Sequence, residues 1–226
     1  MFQQFTGINV IMFFSNTIFS NVGTLSSAQI TGLVGFVNFF TTLIGMALLS
    51  CAGRKTIMFW CNLAMAIVLL LLGYFSFQGY DTLSVVMVML FISLFEFSSG
   101  PITWLYMSEI MQDKAVSIAT VLNWLVNLGI SLGTVPVLTA LGFYDEHPER
   151  IGYVFYFMGG MTVIGTLFIA FFMKETRGKS AQEIEEMFIN NSEYRELNMA
   201  RKIAEGSPKD DHIVNGSRGP SGIGTK

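Results

Sequence analysis

A chain of 226 residues that is 52% hydrophobic, 14% aromatic and 13% charged, with a mean hydropathy of +0.54, has more apolar content than the core of a soluble domain uses and reads as a membrane protein. Its formal net charge is −3, and its lysines and arginines sit in a few loops and a tail, not in a massed patch, which excludes nucleic acid as a partner. Cys51 and Cys61 lie in or beside apolar segments with no CxxC pair and no nearby histidine, so no metal, cofactor or disulfide is expected.

Six segments have the length of roughly 20 mainly apolar residues that a bilayer span requires: about 2–20, 28–50, 56–77, 82–110, 115–141 and 151–173. The expected fold class is therefore an all-α integral membrane bundle over residues 1–175. The first segment holds Gln3, Gln4 and Asn9, lacks a basic leader and a small-residue cleavage site, and does not read as a signal peptide. Connections are short and carry turn chemistry: polar from Asn21 to Ser27, basic at Gly53-Arg54-Lys55, tight at Gly79-Tyr80-Asp81, and containing Pro148 between Asp145 and Arg150. Along the six-span path Arg54, Lys55, Lys114, Lys174, Arg177 and Lys179 fall on one side; the other side's loops hold Arg150 with Asp81, Asp145, Glu146 and Glu149. The basic side is expected to be cytoplasmic, with both termini there. After the last span, Ala181, Ile184, Met187 and Phe188 are spaced at three and four among glutamates, which predicts an amphipathic cytoplasmic helix over 176–205, followed by a disordered tail over 206–226.

Polar groups inside the spans are expensive and call for a reason. Glu96 lies near the middle of the fourth segment, where a carboxyl group costs at least ~2.5 kcal/mol on insertion scales. One turn further on, Gly100-Pro101 removes a helix hydrogen bond, so both features must face protein or a water-filled path. A break at Gly7 would turn Gln4 and Asn9 towards one cavity, Asn38 lies midway along the second span, Trp104 follows Glu96, and Asn123 and Asn127 are four apart on one face of the fifth. Amides both donate and accept, which suits a ligand covered in hydroxyls, and Trp104 can stack on the C–H face of a sugar ring. The competing reading is that the amides tie helices together at ~0.6 kcal/mol each. An enzyme is not expected, because His147 and His212 lie in loop or tail and no nucleophile–base pair is apparent.

The strings QQFTGINVIMFFS at 3–15, GFVNFFTTLIG at 35–45, GRKT at 53–56, FEFSSGPITWLYMSEI at 95–110, NWLVN at 123–127 and KETRGKSAQEI at 174–184 resemble the C-terminal half of sugar porters of the major facilitator superfamily, the facilitative glucose transporters and proton–hexose symporters. The resemblance implies that Gln3, Gln4, Asn9, Asn38, Glu96, Trp104 and Asn127 contact a hexose substrate. It also implies that Arg54, Lys55, Glu109, Glu175 and Arg177 form a cytoplasmic gate that pairs between two halves, and that Gly7, Gly100 and Pro101 are hinges. Phe13 and Phe14 take outer-gate positions where tyrosines are usual, Ser50 and Cys51 stand where an acid and an arginine are common, and Thr103 and Lys174 replace prolines.

Members of that family have twelve spans in two lobes with the sugar at the midplane between them. The resemblance implies one lobe here, two inverted three-helix repeats, that works by alternating access in a bilayer with an N-terminal six-span half. The expected location is the plasma membrane. The alternative is a non-transporting relic or a regulatory, sugar-sensing half.

Overall fold

The computed structural model describes residues 2–12, 27–144, 147–188 and Met199, and every regular element among them is helical. In chain order these are α1 (Phe2–Phe5), α2 (8–12), α3 (Ser27–Cys51), α4 (Arg54–Gln78), α5 (Asp81–Phe97), α6 (Ser99–Ile110), α7 (Asp113–Ala140), a 3-10 turn (Pro148–Arg150), α8 (Ile151–Phe172) and α9 (Ala181–Phe188). The chain divides into two compact units, residues 1–184 and 185–226; the second is described over 185–188 and at Met199.

Five stretches among the described residues are long and apolar enough to cross a bilayer: Thr31–Cys51, Arg54–Gln78, Asp81–Ile110, Asp113–Ala140 and Pro148–Phe172. The 25 residues of α4 extend about 38 Å at 1.5 Å each, enough for ~30 Å of hydrocarbon with some tilt. The later part of the first expected span, 13–20, lies outside the described residues.

Two of the expected spans are broken. Gly7 adopts φ +86° between α1 and α2, a left-handed backbone that costs a side-chain-bearing residue and so favours glycine. A Cβ there would also lie 2.1 Å from Met158 Sδ on α8. The expected 82–110 span is two helices, and the break falls at Ser98 (φ −132°, ψ −88°), not at Gly100-Pro101. Pro101 cannot bond to the carbonyl four residues back, and its ring pushes that carbonyl aside, so the ladder opens in the turn before the proline. Gly100 and Pro101 then begin α6, where free N–H groups are the rule.

The buried core lies among α4, α5 and α8, around Met65, Leu69, Leu72, Phe91, Ile92 and Phe155. In lipid there is no water to expel from between helices, so close contact has to come from shape and small residues. Gly73 of α4 and Gly152 of α8 supply it: a Cβ on Gly152 would meet the Gly73 carbonyl at 2.8 Å, and one on Gly73 would meet the Gly152 carbonyl at 3.1 Å. By contrast α3 and α7 leave whole faces uncovered, with Phe36, Phe39 and Phe40 on α3 and Leu132, 68% exposed, on α7. Such apolar faces suit lipid or another protein surface, not water.

The amphipathic helix begins later than 176. Residues 173–180 are non-helical, Gly178 has φ +74°, and α9 starts at Ala181. Ser180 and Glu183 form a capping box: Glu183 N–H donates to Ser180 Oγ at 3.3 Å and Ser180 N–H to Glu183 Oε2 at 2.7 Å. The Ser180 N–H and then its hydroxyl, both donating to Glu183 Oε2, hold the exposed Glu183 carboxyl below the usual carboxylate range. Residues 189–198 and 200–226, including the tail expected to be disordered, lie outside the described residues.

Candidate functional site

A cleft of about 440 Å³ opens on one flank of the bundle and collects side chains from every broken or exposed span: Gln3, Gln4 and Asn9 from α1 and α2, Asn38 and Thr42 from α3, Glu96 from α5, Gly100, Pro101 and Trp104 from α6, and Trp124 from α7. The breaks make this convergence possible. In an unbroken helix residues 4 and 9 would point about 140° apart. Across the Gly7 break Asn9 Nδ2 instead donates to Gln4 Oε1.

Glu96 is the anchor. Its Oε1 accepts from Asn38 Nδ2 at 2.9 Å. The Thr42 hydroxyl lies 2.9 Å from Oε2 and 2.7 Å from the Asn38 carbonyl, so its proton is shared between them. Asn38 and Thr42 are four apart on one face of α3, which lets both reach a single carboxyl group. The approach of α3 depends on Gly45, because a Cβ there would come within 2.4 Å of the Glu96 carbonyl oxygen. A carboxylate has roughly four lone-pair positions, so two such bonds leave acceptor capacity facing the cleft.

Gln3 ties the first break to the second. Its Nε2 donates to the Ser99 carbonyl at 2.8 Å, and the Ser99 hydroxyl exchanges bonds with Asn62 of α4 at 2.9 and 3.2 Å. Gln3 Oε1 has no partner among the described residues. The floor of the cleft is thus held by a polar chain from α1 through α6 to α4.

Six of the seven expected contact residues line this one cleft, and Asn127 does not. It is buried in α7 with its Oδ1 accepting from Ser131 Oγ at 3.3 Å. Thr42 and Trp124 line the cleft and were not among the expected contacts. Thr42 was recoverable from its spacing to Asn38. Asn123, 4% exposed, has neither amide atom partnered among the described residues.

The expected gate residues gather at one end of the bundle. Arg54 Nη2 pairs with Glu109 Oε1 at 3.1 Å, and Thr176 Oγ1 donates to Glu109 Oε2. Glu175 accepts from the backbone N–H groups of Arg54 at 2.8 Å and Lys55 at 3.1 Å, placing an anion on the free N-terminus of α4. Gly53 makes room for it, since a Cβ there would sit 2.2 Å from Glu175 Oε2. At the opposite polarity, Arg177 donates to the Cys51 and Ser50 carbonyls at 2.6 and 2.9 Å and Lys55 Nζ to the Ala170 carbonyl at 2.9 Å, cations on the C-terminal turns of α3 and α8. Among the described residues these five groups bond to one another or to helix ends. Phe13 and Phe14 lie outside the described residues.

Residues 1–188 match the family described as sugar (and other) transporter. The chain is a sugar porter of the major facilitator superfamily. This porter is 34% identical over 197 residues to a facilitated trehalose transporter Tret1-2 homolog of Drosophila sechellia, covering 81% of the chain and 39% of that relative. To the solute carrier family 2 facilitated glucose transporter member 2 of Mus musculus it is 34% identical over 203 residues, covering 85% of the chain and 37% of the relative. Among solved structures it resembles the proton:xylose symporter XylE bound to 6-bromo-6-deoxy-D-glucose, with a TM-score of 0.73 and 27% identity over 83% of this chain and 41% of that one. The porter sequence spans about two fifths of the length of these relatives. Its fold is that of one lobe of the superfamily, and it is an integral membrane protein.

Proposed function

We propose that the chain is the C-terminal lobe of a carrier that moves a hexose across a membrane by alternating access, with an N-terminal six-span lobe closing the cleft from the other side. The observation that carries this reading is the convergence of Gln3, Gln4, Asn9, Asn38, Glu96 and Trp104 on one open cleft. Its amides and carboxyl group offer both donors and acceptors in a cleft that an indole also lines, which suits a pyranose: hydroxyls exchange their bonds to water for bonds to these groups, and the C–H face lies on the ring. No covalent bond changes. Turnover requires similar affinity in the inward and outward states, so that neither traps the sugar. The uncovered faces of α3 and α7 are surfaces that a second lobe would cover. The excess of lysine and arginine at the end carrying Arg54 and Arg177 supports a cytoplasmic location for that end and for both termini; the proposed location is the plasma membrane.

The second reading is a regulatory half that binds sugar without carrying it. It is favoured by the sparse charge of the gate, where Ser50 and Cys51 offer Arg177 only their carbonyls. Radiolabelled hexose uptake in transporter-null cells separates the two. Uptake is expected when the chain is co-expressed with a separate first lobe and not with either alone. Sugar binding without uptake in every combination would leave the regulatory reading.

A further inference from the structure

A second polar pocket lies at the end of the bundle opposite the basic cluster. It encloses about 440 Å³ between the α4–α5 turn and the segment leading into α8. Ser84 sets it apart. The hydroxyls of Ser76, Ser93, Thr103, Thr134 and Thr162 each donate to the carbonyl four residues back at 2.7–2.8 Å, as hydroxyls in membrane helices do when no other acceptor is offered. Ser84, 6% exposed and lining this pocket, has an Oγ that is buried with no partner among the described residues. Around it stand the Gln78 amide and the Asp81 carboxylate, the latter on the first residue of α5 where the helix N-terminus favours an anion. Glu149, which also lines the pocket, holds His147 Nδ1 at 3.1 Å from its Oε1. Phe77 and Phe143 supply apolar walls, and among the described residues no lysine or arginine lines the space.

Two carboxylates that only accept, a hydroxyl and an amide that do both, and two phenyl rings make a set for a molecule rich in O–H donors with a C–H face. The described residues hold no group of three metal-ligating side chains, and the volume suits a single pyranose with a few waters. We propose that this pocket is a second saccharide-binding site, separate from the cleft around Glu96, which takes one neutral monosaccharide at the end of the lobe. Its purpose rests on the carrier reading, as a holding site at the mouth; its existence does not.

Saturation-transfer NMR of the full chain in lipid nanodiscs, with D-glucose as the probe, tests it. Glu96→Gln with Trp104→Ala disables the central cleft, and glucose is expected to retain a saturation-transfer signal in that background. Adding Ser84→Ala, which removes a hydroxyl the fold leaves unbonded, or Gln78→Ala at an exposed position, should cut the remaining signal at least threefold. No signal once the central cleft is disabled, or an unchanged signal after both additions, overturns the proposal. If uptake by the assembled carrier fails while glucose still reaches the Ser84 pocket, the transport reading falls and this one stands.

Discussion

At the residue scale the cleft turns on one carboxyl group. Glu96 is costly at bilayer depth, and the lobe meets that cost with two donors from a single face of α3, Asn38 and Thr42. Glu96→Gln can keep both neighbours, accepting from Asn38 and donating to the Thr42 hydroxyl, whose proton then goes to the Asn38 carbonyl, but it takes the charge and acceptor positions of the carboxyl group out of the cleft; Asn38→Ala removes a bond. Both substitutions are expected to weaken hexose binding by about 1–3 kcal/mol. Equilibrium binding to the chain in nanodiscs reads this directly, and unchanged affinity in both variants would return these groups to the role of helix ties. Individual polar letters in apolar runs were visible without coordinates, because charge and amides in a span are rare. Their partners were not: Asn127 sits on the same helix as Trp124, and only the rotation of α7 decides that Trp124 reaches the cleft while Asn127 bonds to Ser131.

At the scale of elements the two broken spans do the positioning, and they are not alike. The first break rests on glycine itself, since Gly7 has a left-handed backbone with Met158 Sδ against it. Gly7→Ala should cost about 1–2 kcal/mol from the backbone alone, and more from the clash, and should pull Asn9 away from Gln4. The second break is a property of the turn before Pro101, whose missing N–H lies in the first turn of α6 where no ladder bond is owed. Pro101→Ala is therefore expected to change stability by less than about 1 kcal/mol. Thermal unfolding of the detergent-solubilised chain, followed by helical circular dichroism, ranks the two; equal losses would mean that the proline holds the break as firmly as the glycine. Both breaks were legible as glycine and proline in apolar runs. The displacement of the second break to Ser98 was not, because a proline marks its own position in the letters while its effect falls on the turn that precedes it.

At the scale of the whole molecule, a well-packed trio of α4, α5 and α8 carries two loosely covered helices, α3 and α7, that border the open cleft. Trp124 lines that cleft and is 57% exposed. If a first lobe closes over it, co-expression and joint purification should lower acrylamide quenching of Trp124 in a Trp60→Phe, Trp104→Phe background; undiminished quenching would place the partner elsewhere. The order of the amino acids was enough to set the class, the span lengths, the charged end and the rarity of the buried polar groups, because each follows from the local cost of placing a side chain or an unpaired backbone group in hydrocarbon. Which polar groups meet, which helix ends Glu175 and Arg177 cap, and that Arg54 pairs with Glu109 emerged only from the packing of the helices. Those contacts join residues as many as 127 positions apart, and their geometry depends on helix rotation and on close approaches such as Gly45 to Glu96 and Gly73 to Gly152, which no local pattern encodes.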